Sequence, residues 1–152
     1  MPHDTPFPGS SDTLAQDRLF EEQVTQVLAA TMLVPAGKRA ADLPAVSQLM
    51  QSILAHCHRM HAQEVHLDTD VSVGLTQIVM RRDGALTPFA WLPTRLRDPL
   101  IDHLLTLAGL SPREWPAPQN VALRLPEPPR WCLTVVPTGE GLRDVILRRS
   151  CD

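Results

Sequence analysis

The sequence predicts an α+β fold with a mainly antiparallel sheet. Three observations carry it. Residues 44–61 place apolar side chains at the spacing of one helix face. Asp83-Gly84 sits between two strand-like runs, the signature of a hairpin turn. The segments together read helix, helix, three strands, helix, three strands, the order of an α+β rather than an alternating α/β chain.

The elements follow in order. Residues 1–11 hold three prolines, a glycine and two serines, a composition expected to be disordered. Residues 12–34 form a helical extension, capped by Ser11 or Asp12, with Leu14, Leu19, Phe20, Val24, Val27, Leu28 and Met32 as its apolar stripe. Pro35-Ala36-Gly37-Lys38 ends it, and a linker runs to residue 42. This extension either packs on the domain or docks a partner; in the second case Leu19, Phe20, Val24 and Val27 are the contact residues.

The second helix spans residues 44–61. Val46, Leu49, Met50, Ile53, Leu54 and Cys57 give the clearest periodicity in the chain. A strand follows with Val65 and Leu67 inward and Glu64, His66 and Asp68 outward. Residues 73–82 and 85–91 flank the Asp83-Gly84 turn. A helix over 94–107 presents Leu96, Leu100, Leu104 and Leu107; Pro99 is awkward in its interior, so Asp98 as cap and Pro99 as first helical residue restart it. Residues 111–118 are Pro-rich and irregular. Strands at 120–125, 131–136 and 142–149 complete the chain, with turns at Glu127-Pro128-Pro129 and Thr138-Gly139-Glu140-Gly141.

A chain of 152 residues with 43% hydrophobic content suits one domain plus an appendage. A net charge of −3 and a pI near 6.0 give no global attraction to nucleic acid or anionic lipid. No apolar run is long enough to span a membrane, and Met1-Pro2-His3-Asp4 lacks the features of a secretory signal. Cys57, Cys132 and Cys151 are odd in number and widely spaced, so they are expected to be reduced thiols in a cytoplasmic protein, Cys57 and Cys132 in the core.

Four stretches occur in an order that resembles the domain preceding the motor core of type II secretion, type IV pilus and type IV secretion ATPases. They are Pro44-Ala45-Val46 through Ala62-Gln63-Glu64-Val65-His66-Leu67-Asp68, then Val79-Met80-Arg81-Arg82-Asp83-Gly84-Ala85-Leu86. Next come Leu92-Pro93 through Ala108-Gly109-Leu110, with Glu114 and Pro118-Gln119. Last come Val136-Pro137-Thr138 to Gly141 and Val145-Ile146-Leu147-Arg148. The resemblance runs from residue 43 to 148, about 70% of the chain. It implies a PAS-like domain over residues 43–149.

Family members continue into a G-x-x-x-x-G-K-[ST] loop, whose backbone N–H groups and lysine hold phosphates. None of the seven glycines here opens such a pattern, so the expectation is no autonomous ATP hydrolysis and no cofactor. Arg81 matches the second arginine of the family's R-x-R-x-D-G and Arg148 the arginine that ends its last strand. The resemblance implies these as vestigial phosphate contacts. Val79, His103, Trp115, Cys132 and Asn120 stand where the family carries other motif residues, most of them basic, which suggests a fold kept for packing with its nucleotide role relaxed.

His56, Cys57, His58 and His61 cluster at the end of the second helix. His58 and His61 are the candidate metal ligands, but only His66 offers a further distant ligand, and histidines in a last turn are also favoured by the helix dipole. No bound metal is expected. His66 on an outward strand face is read as structural or interfacial. Arg95, Arg97 and Arg148-Arg149 are too sparse for a nucleic-acid face.

The functional expectation is a non-catalytic cytoplasmic adaptor or regulatory subunit of a bacterial secretion or pilus machine. It would bind a motor ATPase, a platform component or a secreted client, and homo-oligomerisation is compatible with this. The alternative is a small acidic secretion chaperone for an exported protein.

Overall fold

A computed structural model describes residues 10–70, 74–110, 121–126, 129–139 and 142–149. Among the described residues three α-helices, α1 (Ser10–Met32), α2 (Pro44–Arg59) and α3 (Arg97–Leu107), accompany six strands. The strands are β1 (Glu64–Asp70), β2 (Leu75–Arg82), β3 (Ala85–Pro93), β4 (Val121–Ala122), β5 (Trp131–Gly139) and β6 (Leu142–Arg149). They form one sheet in the order β3-β2-β1-β6-β5-β4, with every pairing antiparallel. The fold is therefore α+β. Of the leader expected to be disordered over residues 1–11, residues 1–9 lie outside the described residues, as do the irregular stretch at 111–118, Cys151 and the Glu140-Gly141 half of the last turn; Ser10 and Ser11 are helical, so α1 begins before the expected cap at Ser11 or Asp12.

The β2–β3 hairpin turns where expected. Asp83 (φ 50°) and Gly84 (φ 82°) both take the left-handed conformation that a two-residue turn of type I′ demands. Strand alternation then sorts the sheet into two faces. Val65, Leu67, Ile78, Met80, Leu92, Leu133, Val145 and Leu147 are buried with the helices in one core. Glu64, His66, Arg81 and Arg148 lie on the other face. The six apolar residues of the predicted stripe on α2 are all buried in that core.

Pro88-Phe89 breaks the alternation of β3. Ile78 pairs with Ala90 and Val79 with Pro88, so Phe89 is an extra residue, a β-bulge. Proline donates no ladder hydrogen bond, which fits its place in β3, an edge strand of the sheet. The bulge turns Phe89 toward the helices, where its ring meets His56 at 4.8 Å and Phe20 at 6.4 Å.

Helix ends carry the local logic of the chain. Pro44 opens α2 at a position where its missing N–H is no loss. At the end of α2, the His61 N–H donates to the His58 carbonyl (3.0 Å) and the Ala62 N–H to the Cys57 carbonyl (2.9 Å), a Schellman closure. The α3 terminus repeats it: Gly109 N–H to Thr106 (3.0 Å) and Leu110 N–H to Leu105 (2.8 Å). The start of α3 differs from the sequence expectation. A 3₁₀ turn at Thr94–Leu96 leads directly into Arg97, so Asp98 and Pro99 lie inside the first turn rather than at cap and first position. Proline is tolerated there because first-turn N–H groups have no intrahelical acceptor.

The extension α1 packs along α2. Val27 is fully buried, and Phe20, Val24 and Leu28 are partly buried against the same core. A fully buried valine stabilises by about 1.5–3 kcal/mol, so α1 belongs energetically to the domain. The expectation of three reduced thiols is corrected at Cys132, which is disulfide-bonded. Cys57 is a free, buried thiol.

Candidate functional site

The residues that the sequence singles out on three different strands converge on one carboxylate, that of Glu64. The register opposes Glu64 to Arg81 on β2 and to Arg148 on β6. The Arg81 Nε–H donates to Glu64 Oε2 at 3.0 Å, and Arg148 Nε lies 3.1 Å from Oε1. The His66 ring, two residues along the same face of β1, reaches Oε2 through Nε2 at 3.0 Å. The Glu64 side chain is only 18% exposed, while Arg148 is 56% exposed. Burial alone pushes the Glu64 carboxyl up; the hydrogen bonds from His66 and Arg81 and the Arg148 charge outweigh it and hold the carboxyl below its ordinary value.

This arrangement decides what the two arginines can do. A carboxylate between two guanidiniums occupies donors that a phosphate would need, and its negative charge repels an incoming anion. The sequence missed the centre of the cluster because Glu64 reads only as one outward residue of an alternating strand. Its partners are fixed by the β1–β6 pairing, which joins residues far apart in the chain.

The α1 residues separate into two groups. Val27 is inside the core and Val24 is partly buried, so their contacts are with this chain. Their expected role as partner contacts is corrected for Val27, which has no exposed surface. Leu19 is 53% exposed, and with Phe20 it borders a groove between α1, α2 and the β2–β3 hairpin.

The histidines at the end of α2 are placed by local structure. His61 takes a left-handed conformation (φ 57°) as the residue just past the helix cap. His58 accepts a 2.6 Å hydrogen bond at Nδ1 from Arg149 Nη2. Among the described residues no group of three or more His, Cys, Asp or Glu is placed to hold a metal ion. Arg97, counted among the sparse basic residues, is 2% exposed and so unavailable to a polyanion.

A second clip ties the linker to α3. Arg39 grips Asp42 with two hydrogen bonds of 3.1 and 3.0 Å and reaches Thr106 Oγ1 at 3.1 Å. His103, on the same helix as Thr106, is held below its ordinary pKa by burial, against a backbone hydrogen bond with Ala41 and the charge of Asp42.

Among the described residues no helix is long and apolar enough to cross a membrane. No protein-family model matches the chain, and no curated protein matches it.

Proposed function

We propose that this chain is a non-catalytic adaptor or regulatory subunit of a bacterial secretion or pilus machine. It binds a motor ATPase, a platform component or a secreted client, and its sheet is a PAS-like one. The observation that carries this reading is the capture of Arg81 and Arg148 by Glu64 of the same chain. The two side chains that the family resemblance assigns to phosphate serve here to tie β1, β2 and β6 together. What is left for function is surface: large apolar side chains exposed on α1 and β3, namely Leu19, Met32, Leu86 and Trp91. Large apolar residues at a surface favour association with another protein.

The test has two arms. The purified full chain is assayed for Mg-ATP hydrolysis and for a thermal shift with Mg-ATP; neither is expected. The tagged chain is expressed in its native cell and its partners are identified by mass spectrometry; a component or client of a secretion or pilus machine is expected. Turnover that survives repurification and disappears in Arg81→Ala would overturn the reading, as would repeated capture of proteins unconnected with export.

A further inference from the structure

We propose that the groove between α1, α2 and the β2–β3 hairpin docks an acidic, amphipathic peptide segment of a protein partner, with apolar side chains in the groove and a carboxylate on Arg59 and Arg82. This names the chemistry of the partner in the adaptor reading and rests on that reading.

Three features of the groove converge on this occupant. Its volume is about 350 Å³, the small end of the roughly 300–1,000 Å³ typical of sites that enclose a small molecule. That is room for a few anchoring side chains. Its walls are apolar and aromatic: Phe20, Phe89, Met60 and Met80 line it, with Phe20 edge-on to Phe89 and the His56 ring tilted against Phe89. Leu19 stands at its mouth, 53% exposed. Such a surface gains free energy when apolar side chains cover it.

Charge gives the groove its selectivity. Arg59 and Arg82 line it, and among the described residues no carboxylate does. Arg39, Arg81 and Arg148 each meet a carboxylate of this chain. Arg59 and Arg82 have no such partner among the described residues. A guanidinium that stays charged and grips carboxylates with two parallel hydrogen bonds is suited to fix the register of an acidic peptide.

The bulge at Phe89 then has a role beyond sheet geometry, since bulges commonly re-aim a side chain toward a site.

The test uses the full chain and two fluorescein-labelled synthetic peptides. Both carry Leu and Phe four residues apart; one is flanked by Glu, the other by Lys. Fluorescence anisotropy is expected to show the Glu peptide binding at least about tenfold more tightly than the Lys peptide. Arg59→Glu with Arg82→Glu is expected to invert that preference, and Leu19→Ser to weaken both peptides. Circular dichroism melts check that each variant is folded; if the double variant does not fold, Arg59→Gln and Arg82→Gln are measured singly and each is expected to narrow the preference.

Equal binding of the two peptides, or binding of neither up to about 1 mM, would overturn the proposal. So would a preference that the arginine variants leave unchanged. A sedimentation experiment showing a dimer that the double variant dissociates would assign the groove to a second copy instead. Displacement of the Glu peptide by an equal concentration of dodecanoate would assign it to a free amphiphile. Failure here is separable from failure of the adaptor reading: an Arg59→Glu, Arg82→Glu chain that still captures its export partner sinks the groove alone.

Discussion

Glu64 and Arg148 oppose each other across β1 and β6, and their side chains meet at 3.1 Å on the sheet face away from the helices. Arg81 approaches the same carboxylate from β2 at 3.0 Å. One acidic residue thus ties three adjacent strands through side chains as well as through the backbone ladder.

That cluster gives the stability a pH dependence of known sign. Glu64 titrates below its ordinary value in the fold, so its contribution is present above the unfolded-state pKa of about 4.5. It is lost as pH falls through the lower folded-state value. Glu64→Gln is expected to cost about 1–2 kcal/mol at pH 7, discounted for the partial exposure of both arginines. Urea unfolding at pH 7 and pH 3 checks this: the difference between variant and wild type should shrink at the acidic end. A gap that widens toward pH 3 contradicts the assignment.

The two Schellman closures predict opposite outcomes at equivalent positions. His61 holds φ 57° with a side chain, while Gly109 holds φ 74° without one. His61→Gly is expected to stabilise by about 0.5–1 kcal/mol, because glycine enters this region without steric cost. Gly109→Ala is expected to destabilise by about 1–2 kcal/mol. Its new Cβ would also lie 2.8 Å from an Arg124 guanidinium nitrogen, which must move aside. Denaturant midpoints of the two variants read the signs directly. Loss of stability in His61→Gly would mean that the imidazole, not the backbone, matters there.

Two residues on α1 separate a packed helix from a docking arm. Val27→Ala is expected to lower stability by about 2 kcal/mol, since Val27 is fully buried. Leu19→Ala, at a position 53% exposed, is expected to change it by no more than about 0.5 kcal/mol. A chain beginning at Leu43 should bind a hydrophobic dye and lose its sharp melting transition. Cooperative melting of that shorter chain, unchanged in midpoint, would show that α1 contributes nothing to the core.

Cys57 is expected to be chemically silent. Burial pushes its thiol up to about 12, so almost no thiolate is present at pH 8. Iodoacetamide labelling followed by mass spectrometry should leave Cys57 unmodified in the folded chain and modify it in urea. Cys132, being disulfide-bonded, should label only after reduction. Rapid native labelling of Cys57 would place α2 in a different rotation.

The sequence by itself determined the element order, the buried face of α2 and the β2–β3 turn. Each of these is a local signal: helical spacing from Val46 to Cys57, and Asp83-Gly84 able to take positive φ between two strand runs. It also marked Arg81, Arg148 and His66, but as separate positions. The bulge at Phe89 had a trace in the sequence, Pro88 inside a strand-like run, which the alternation rule passes over. His61 reads in the sequence as a candidate ligand of a site not expected to hold a metal, and residue type says nothing of φ; the Schellman geometry makes it the residue that ends α2.

Only the tertiary structure decided that Glu64 gathers Arg81, Arg148 and His66, that α1 lies along α2, and that Arg59 and Arg82 share a groove with Phe20 and Phe89. The physical reason is common to all three. Strand order brings Glu64 to Arg81 and Arg148, 17 and 84 positions away, helix docking joins α1 to α2 and the hairpin, and no periodicity in a single segment encodes a partner on another.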